Sequence, residues 1–392
     1  MKISLNNVDY DMSSPTSENY KKRLIESLGD EYKKEHNVSV LWSHVDGFQL
    51  NLESEDDLEY LVKIFDGDNV LLYETFLKNN MFCKLSRKYY NGIRYEIYND
   101  TNELIISEII NFEGKTIFIS FDSASLGDTI AWIPYCEVFR RLNKCNVIVS
   151  TFKNFLFEKS YPNLTFVNPG DIVNNIHGMF NIGWFYDSDK EPQNPQTIQL
   201  QKAICNIIGI PFIEQVTNID FTPKERPIKD KYITIATSST AGCKLWNYPD
   251  GWFELIKYLK GQGFRVINIS KEEDNISNSE QLLNNSLENT MNFIHHSEFF
   301  IGLSSGLSWL TWAMKKHVVM ISNFTLEDHE FRTNCTRIVN KLSCNGCWNN
   351  PNFKFDKTDW NWCPEHKNTE RHFECHKTIS PSTVIESLQK LL

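Results

Sequence analysis

The sequence lacks several features that would place it in common classes of protein. It has no run of about 18 apolar residues, so we expect no transmembrane helix. Residues 1–14 lack the apolar core of a secretory signal peptide. Long basic runs are absent as well, and 40 Lys+Arg against 50 Asp+Glu give a net charge of -10. Because nucleic-acid binders usually carry a basic face, we expect no nucleic-acid partner. The lack of a signal peptide and of a transmembrane helix leads us to expect a cytoplasmic protein.

The chain nevertheless has the material for more than one folded core. It contains 392 residues, of which 41% are hydrophobic and 13% aromatic, which predicts two or three domains. Residues 1–112 are typical of a small all-β domain. Asn91-Gly92 predicts a tight hairpin between short β-rich runs, and residues 93–98 alternate with period two. A helix is expected before them, at residues 18–28.

From about residue 115 the pattern changes to alternating strands and helices. Residues 116–121 form an almost continuous apolar strand, a helix is expected at 128–142, and a second strand at 146–149. Strands and helices that alternate in this way predict a parallel sheet with helices on both faces.

The pattern restarts after a polar stretch at residues 222–231. The predicted strands are 232–236, 264–269, 299–302 and 318–321, and the predicted helices are 252–260 and 307–315. The fold class is therefore α/β, with two doubly wound Rossmann-type domains after the all-β domain. We expect domains at residues 1–112, 113–225, 226–340 and 341–392, with the ligand in a cleft at the carboxyl ends of the strands.

One candidate site follows the first strand of the α/β region, at Ser125-Leu126-Gly127-Asp128. Gly127 permits a tight turn and is a candidate donor-binding residue, and Asp128 lies where the strand gives way to the helix. A carboxylate in that position can accept a proton from an attacking hydroxyl group. Asp is also a favoured N-cap residue, so a purely structural role for Asp128 stays open.

A second candidate is the loop at residues 237–244, which follows the first strand of the second unit. Thr237 and Ser238 are small residues whose backbone N–H groups can approach an anion closely. Lys244 adds a compact positive charge that suits a diphosphate. The alternative is a solvated lysine on a flexible loop.

A third candidate is the turn at residues 302–308, between a strand and a helix. A turn of this composition at a helix N-terminus can bind an anion. It lacks the Gly-Lys-Ser/Thr ending of a P-loop and one of the three glycines of a dinucleotide site. A turn with no ligand remains the alternative. The candidate donor-binding residues of this turn are Ser304, Ser305, Gly306 and Leu307.

A fourth candidate is a cysteine cluster near the C-terminus, with the spacing Cys344-X2-Cys347-X15-Cys363-X11-Cys375. Four thiolates in this arrangement suit a tetrahedral structural metal site, and either zinc or iron uses such ligands. The other six cysteines are expected to be ordinary buried thiols. Three neighbouring histidines are expected at the surface: His366, His372 and His376.

Taken together, these segments resemble a known family. Residues 125–128 with Pro134, the Lys244 loop and residues 302–310 resemble heptosyltransferases of the GT-B fold. The segments around Glu330-Phe331 and the four cysteines resemble the bacterial autotransporter heptosyltransferases. The resemblance covers roughly residues 115–392.

The resemblance implies a transfer of heptose from ADP-heptose to serine hydroxyl groups of an autotransporter adhesin before export, and we expect this transfer to be inverting. It implies that Asp128 is the base and that Lys244 contacts the donor phosphates. If Lys244 and the turn at residues 304–306 carry the charge of the diphosphate, we expect catalysis to need no divalent ion. The resemblance further implies that the four cysteines form a finger that binds iron, as Fe3+, and is associated with a homo-oligomer such as a dodecamer. Zinc is the alternative metal.

One departure from the pattern favours the protein-modifying branch of the family. Lipopolysaccharide heptosyltransferases usually carry an acidic residue where this chain has Ser304. Two other functions stay open at this point. One is a GT-B transferase that uses another nucleotide sugar or a glycan acceptor, and the other is a non-catalytic scaffold assembled by the metal.

Overall fold

The computed structural model describes residues 33–35, 37–184, 193–271, 276 and 278–392. The predicted helix at 18–28 lies outside these residues. The chain divides into two compact units. Unit 1 comprises Met1–Ala124, Trp132–Pro195 and Gln201–Ile213, and unit 2 comprises Ser125–Ala131, Gln196–Leu200 and Glu214–Leu392. The predicted division into four domains stays a prediction.

The first part of unit 1 is all-β, as predicted. Its strands form two antiparallel four-stranded sheets, with the orders β1-β2-β3-β6 and β5-β4-β7-β8. Inward-facing residues of both sheets, including Leu50 and Val62, share one apolar core. The strands are β1 (Lys33–Glu35), β2 (Val38–Ser43), β3 (Gln49–Ser54), β4 (Tyr60–Asp66), β5 (Leu71–Leu77), β6 (Met81–Lys84), β7 (Ile93–Tyr98) and β8 (Leu104–Ile109).

The predicted hairpin at Asn91-Gly92 is wrong. The strands on its two sides, β6 and β7, belong to different sheets. Gly92 does adopt a positive φ of 82°, but the turn serves a close chain crossing, in which the N–H of Gly67 donates to the carbonyl of Asn91 at 2.9 Å. A Cβ atom on Gly67 would lie 2.0 Å from that carbonyl oxygen. The Asn-Gly signal therefore marks a contact between segments rather than a hairpin.

The second part of unit 1 contains a parallel sheet with the order β11-β10-β9-β12, which confirms the α/β prediction. The predicted helix begins at Leu126, earlier than expected, so Asp128 lies in its first turn and is not its N-cap. The elements are β9 (Thr116–Phe121), α1 (Leu126–Asn143), β10 (Asn146–Ser150), β11 (Thr165–Val167), β12 (Gly178–Ile182) and α2 (Leu200–Ile208). The start of α1, up to Ala131, and the first residue of α2 belong to unit 2.

Unit 2 contains a six-stranded parallel sheet with the order β15-β14-β13-β16-β17-β18. Its central strands are wholly buried, because helices cover the sheet, and this explains their continuous apolar sequences. The elements are β13 (Tyr232–Ile235), α3 (Gly251–Gly261), β14 (Arg265–Asn268), β15 (Glu280–Gln281), α4 (Leu287–His296), β16 (Phe300–Gly302), α5 (Gly306–Ala313), β17 (Val318–Ile321) and β18 (Cys335–Ile338).

The chain ends with two short helices, α6 (Glu374–Lys377) and α7 (Pro381–Leu388). Ser380 caps α7, since its side chain accepts a hydrogen bond from the N–H of Thr383 at 3.2 Å. Val384 and Leu388 are fully buried in the same core as the strands of unit 2. The residues between β18 and α7, which we call the cysteine-rich segment (residues 340–379), are thus anchored to unit 2 at both ends.

Candidate functional site

Two of the predicted loops meet within unit 2. A Cβ atom on Gly127 would lie 3.1 Å from the ring of Trp309, and one on Gly306 would lie 3.2 Å from the backbone nitrogen of Gly127. A side chain at either position would therefore crowd its neighbours, and glycine lets the two segments approach closely. The start of α1, which carries Asp128, therefore packs directly against the start of α5.

Asp128 is half-buried in the first turn of α1. The hydroxyl of the next residue, Thr129, donates to the carbonyl of Ser125 at 2.8 Å, which fixes the turn in front of the carboxylate. The N-terminus of an 18-residue helix carries partial positive charge, which stabilises the ionised carboxylate. This placement suits a group that must be deprotonated to accept a proton.

The turn before α5 presents polar groups at a helix N-terminus. Ser305 is the N-cap residue, and its hydroxyl oxygen is buried without a hydrogen-bond partner among the described residues. The hydroxyl of Ser308 donates to the carbonyl of Leu303 at 2.5 Å, which holds the turn. The backbone N–H groups of Gly306 and Leu307 lie in the first turn of the helix, where such groups lack intrahelical partners. A ligand with anionic oxygens would fit these donors.

Ser304 leads to a buried network around Glu330 for which the sequence indicated no role. Its hydroxyl donates to the carboxylate of Glu330, to which the hydroxyl of Thr325 donates at 3.0 Å. Arg337 forms a buried ion pair with the same carboxylate at 2.5 Å. Burial alone would raise the pKa of Glu330, but Arg337, His329 and the Ser304 hydrogen bond outweigh it and lower the pKa to about 2. The carboxylate of Glu330, from a later segment of the chain, thus contacts Ser304 in the turn before α5.

Thr237 and Ser238 are placed at the carboxyl end of β13, as predicted, but their N–H groups are used within the protein. Both donate to the hydroxyl oxygen of Ser270, at 2.8 and 3.3 Å. Asn268 donates from its side chain to the hydroxyl oxygen of Thr237 at 3.0 Å. These contacts hold the loop, and donor binding by Thr237 and Ser238 stays a prediction.

Lys244 ends a single 3-10 turn formed by Gly242–Lys244. The N–H of Gly242 donates to the carbonyl of Trp360 at 2.9 Å, so the loop is joined to the cysteine-rich segment. Lys244 is half-buried, and its ammonium nitrogen lies 5.4 Å from the ring centre of Phe324. The loop is therefore held in place and is not a free surface loop.

The four clustered cysteines lie close enough to influence one another. Gly346 adopts a positive φ of 67° between the first pair, as a tight knuckle requires. The pKa of Cys375 is raised by a hydrogen bond with Cys344, by burial and by the charges of Cys347 and Cys363. Such interactions arise only between neighbouring groups. A set of thiol ligands of this kind fits iron or zinc.

The structure adds two other potential ligands to this cluster. One ligand atom from each of Cys344, His366 and Glu374 lies within 4.8 Å of the others. The expectation that the nearby histidines lie at the surface is wrong for His376, which is fully buried and accepts a hydrogen bond from the N–H of Asn323 at 3.2 Å. His366 and His372 are half-buried. Of the other cysteines, only Cys335 is not buried, so that prediction is otherwise confirmed.

Comparison with known proteins identifies the family of the chain. It is 34% identical over 322 residues to the autotransporter heptosyltransferase Aah of Escherichia coli, a match that covers 78% of this chain and 82% of Aah. The chain belongs to the autotransporter heptosyltransferase family. No family model matches it. The fold is of the GT-B heptosyltransferase type, as the sequence predicted.

Two further relatives are TibC, whose structure is known, and BimC, which is named inactive. The crystal structure of TibC from enterotoxigenic E. coli H10407, described as an iron-containing dodecameric glycosyltransferase, has a TM-score of 0.82 and 29% identity. The match covers 93% of this chain and 98% of the TibC chain. TibC was also solved in complex with ADP-D-beta-D-heptose, with a TM-score of 0.80, 29% identity, and coverage of 90% of this chain and 95% of TibC. BimC of Burkholderia thailandensis, which is 27% identical over 73% of this chain and 71% of its own length, is named an inactive member.

Within the described ranges, the structure contains no helix that is long and apolar enough to cross a membrane.

Proposed function

We propose that this protein transfers heptose from ADP-heptose to serine hydroxyl groups of an autotransporter adhesin. The observation that supports the proposal is the close approach of Gly127 and Gly306, which brings the first turn of α1, the turn that contains Asp128, against the N-terminus of α5. A base and an anion site are the two elements that glycosyl transfer from a nucleotide diphosphate requires. The solved complex of TibC with ADP-heptose supports this choice of donor.

In the proposed reaction, Asp128 accepts the proton of the acceptor hydroxyl group. The acceptor oxygen then forms a bond with the anomeric carbon of heptose from the face opposite ADP. The bond between that carbon and the diphosphate oxygen breaks, and ADP leaves with the electron pair, so the configuration inverts. Because departing ADP gains negative charge, Lys244 and the donors of Ser305, Gly306 and Leu307 stabilise the transition state. These groups make a divalent ion unnecessary.

The proposal includes a metal held by Cys344, Cys347, Cys363 and Cys375. Iron is the proposed metal because TibC is described as iron-containing, and zinc is the alternative. Bound there, the metal would cross-link the cysteine-rich segment and supply folding free energy. The proposal also includes a homo-oligomer, such as the dodecamer described for TibC, and a cytoplasmic location, where the adhesin would be modified before export.

Incubation of the protein with ADP-heptose and an autotransporter adhesin tests the function. We expect the intact mass of the adhesin to rise in steps of one heptose, and fragmentation to place the sugar on serine. Mass steps of another sugar, or a modified glycan in place of the adhesin, would favour the transferase that uses another donor or acceptor.

A non-catalytic scaffold is the second candidate, and the naming of BimC as inactive favours keeping it. A scaffold would leave the adhesin mass unchanged with every donor, although the protein would still assemble with its metal. Elemental analysis and a visible absorption spectrum of the purified protein distinguish iron from zinc, since only iron bound by thiolates absorbs strongly in the visible range.

A further inference from the structure

The ammonium group of Lys244 has an aromatic neighbour from a different part of unit 2. Its nitrogen lies 5.4 Å from the ring centre of Phe324, within the range of a cation–π interaction. Phe324 follows β17 in the chain and is only 4% exposed. An aromatic face attracts the cation without a strong hydrogen-bond acceptor, so the N–H groups of Lys244 remain available to phosphate oxygens.

Phe324 is itself held by aromatic residues next to the cysteines. It belongs to a group that we call the aromatic cluster: Phe324, Trp348, Phe355 and Trp362. The ring centre of Phe324 lies 5.9 Å from that of Trp348 and 6.1 Å from that of Trp362. Trp348 directly follows Cys347, and Trp362 directly precedes Cys363. The position of the Phe324 ring therefore depends on the cysteine-rich segment.

Backbone hydrogen bonds strengthen this dependence. The N–H of Trp348 donates to the carbonyl of Phe324 at 3.1 Å, and the N–H of Gly346 donates to the carbonyl of Asn323 at 2.7 Å. The side chain of Asn323 donates to the carbonyl of Cys375 at 2.6 Å. Both residues before Thr325 are thus fixed by the segment that carries the cysteines.

The lysine loop touches that segment directly as well. In addition to the hydrogen bond from Gly242 to Trp360, a Cβ atom on Gly242 would lie 2.6 Å from the Trp360 carbonyl oxygen and 3.4 Å from the ring of Phe373. The loop backbone and the lysine side chain are therefore both in contact with groups whose positions the cysteine-rich segment sets.

We propose that Phe324 is a positioning residue that orients Lys244 towards the donor diphosphate, and that the cysteine-rich segment acts on donor binding through it. The proposal rests on the role of Lys244 in the proposed function. It gives the cysteine-rich segment a task beyond its own folding: it holds the surface against which the phosphate-binding cation lies.

Calorimetric titration of the metal-containing full chain with ADP and with adenosine tests the proposal. Phe324→Leu should weaken ADP binding about 3- to 20-fold, as expected for loss of one cation–π contact, and leave adenosine binding unchanged. Phe324→Tyr keeps an aromatic face and should bind ADP within about twofold of the parent protein. Phe299→Leu is the matched control, since it removes a buried ring from the core of unit 2 in a cluster that does not include Lys244.

The outcomes separate this inference from the proposed function. If Lys244→Ala weakens ADP binding but Phe324→Leu does not, the inference is wrong and the role of Lys244 stands. If Lys244→Ala leaves ADP binding unchanged, the phosphate role of Lys244 fails, and the inference fails with it. Equal losses of ADP and adenosine binding in Phe324→Leu, or loss of ADP binding in Phe299→Leu, would show a general packing effect and overturn the inference.

Discussion

The two units differ in what they bury. The core of the all-β part of unit 1 is filled by aliphatic and aromatic side chains, and within each of its two sheets the strands pair antiparallel. Both units also bury polar side chains, such as Asn51 in unit 1 and Asn323 in unit 2, but unit 2 buries in addition an ion pair, between Glu330 and Arg337. Every predicted site residue, including Asp128, falls in unit 2. Charges are more expensive to bury than neutral polar groups, and this buried pair lies in the unit where ligand chemistry is proposed.

Substitution of Asp128 in unit 2 should lower the turnover number far more than substitution of a nearby carboxylate in unit 1, and this is the largest effect that we expect. Asp128→Asn removes the proposed base with little change in shape, so the turnover number should fall by about 10²- to 10⁴-fold while ADP binding is kept. Asp122→Asn in unit 1 is the control, because this exposed carboxylate follows the end of β9 only a few residues earlier. The adhesin mass shift per unit time measures both. A larger loss in the Asp122 variant would move the base assignment into unit 1.

Substitution of Glu330 should have the next largest effect, and it acts on stability. Glu330→Gln leaves Arg337 buried without its ionic partner, which should lower the free energy of unfolding of unit 2 by about 3–5 kcal/mol. The matched control is Glu280→Gln, which removes the largely exposed pair with Arg265 and should cost less than about 1 kcal/mol. Urea denaturation measures both variants. Similar decreases in the free energy of unfolding for the two variants would show that the buried ion pair stabilises the protein no more than the exposed one.

A buried histidine predicts the acid sensitivity of unit 1. Burial lowers the pKa of His44 to about 4, against the weaker opposing effects of its backbone hydrogen bond and Asp46. Below the ordinary value of 6.5 the unfolded chain binds a proton that the folded chain does not, so stability falls as the pH drops from 6.5 to 4. This one group should cost about 3 kcal/mol across that range.

The test for His44 is a comparison of thermal unfolding at pH 7.5 and pH 5. His44→Phe, next to the rings of Phe112 and Phe180, should unfold with a smaller loss of stability between the two pH values than the parent protein. The carboxyl of Glu330 acts in a lower range, because its stabilisation is present above pH 4.5 and is lost only as the pH falls towards 2. An unchanged pH dependence in the variant would show that His44 is not the group responsible.

The smallest effect is expected at Ser305 and separates binding from stability. Its buried hydroxyl has no partner among the described residues, so Ser305→Ala should change the free energy of unfolding by less than about 0.5 kcal/mol. If the hydroxyl donates to the donor diphosphate, ADP binding should weaken about 2- to 10-fold. Calorimetry and urea denaturation give the two values. Ser308→Ala is the control, since its hydroxyl already donates to Leu303.

Much of the fold could be predicted because its signals are local. The apolar run that became β9 and the stretch predicted as a helix, which became α1, are each contained within one short segment, and the four cysteines lie within 32 residues of one another. The failed hairpin at Asn91-Gly92 shows the limit of such signals. The same dipeptide suits any turn that needs a positive φ, and only strand pairing decides whether the turn closes a hairpin.

By itself, the sequence determined the alternation of strands and helices after the all-β part, the candidate residues of the three loops and the cysteine spacing. Only the tertiary structure decided which of these residues meet. The pairing of Glu330 with Arg337 and Ser304, the burial of His376, and the contact of Lys244 with Phe324 join residues from separate segments. Contacts of this kind leave no periodic pattern in the chain, because they depend on how packed elements bring distant positions together rather than on their neighbours in sequence.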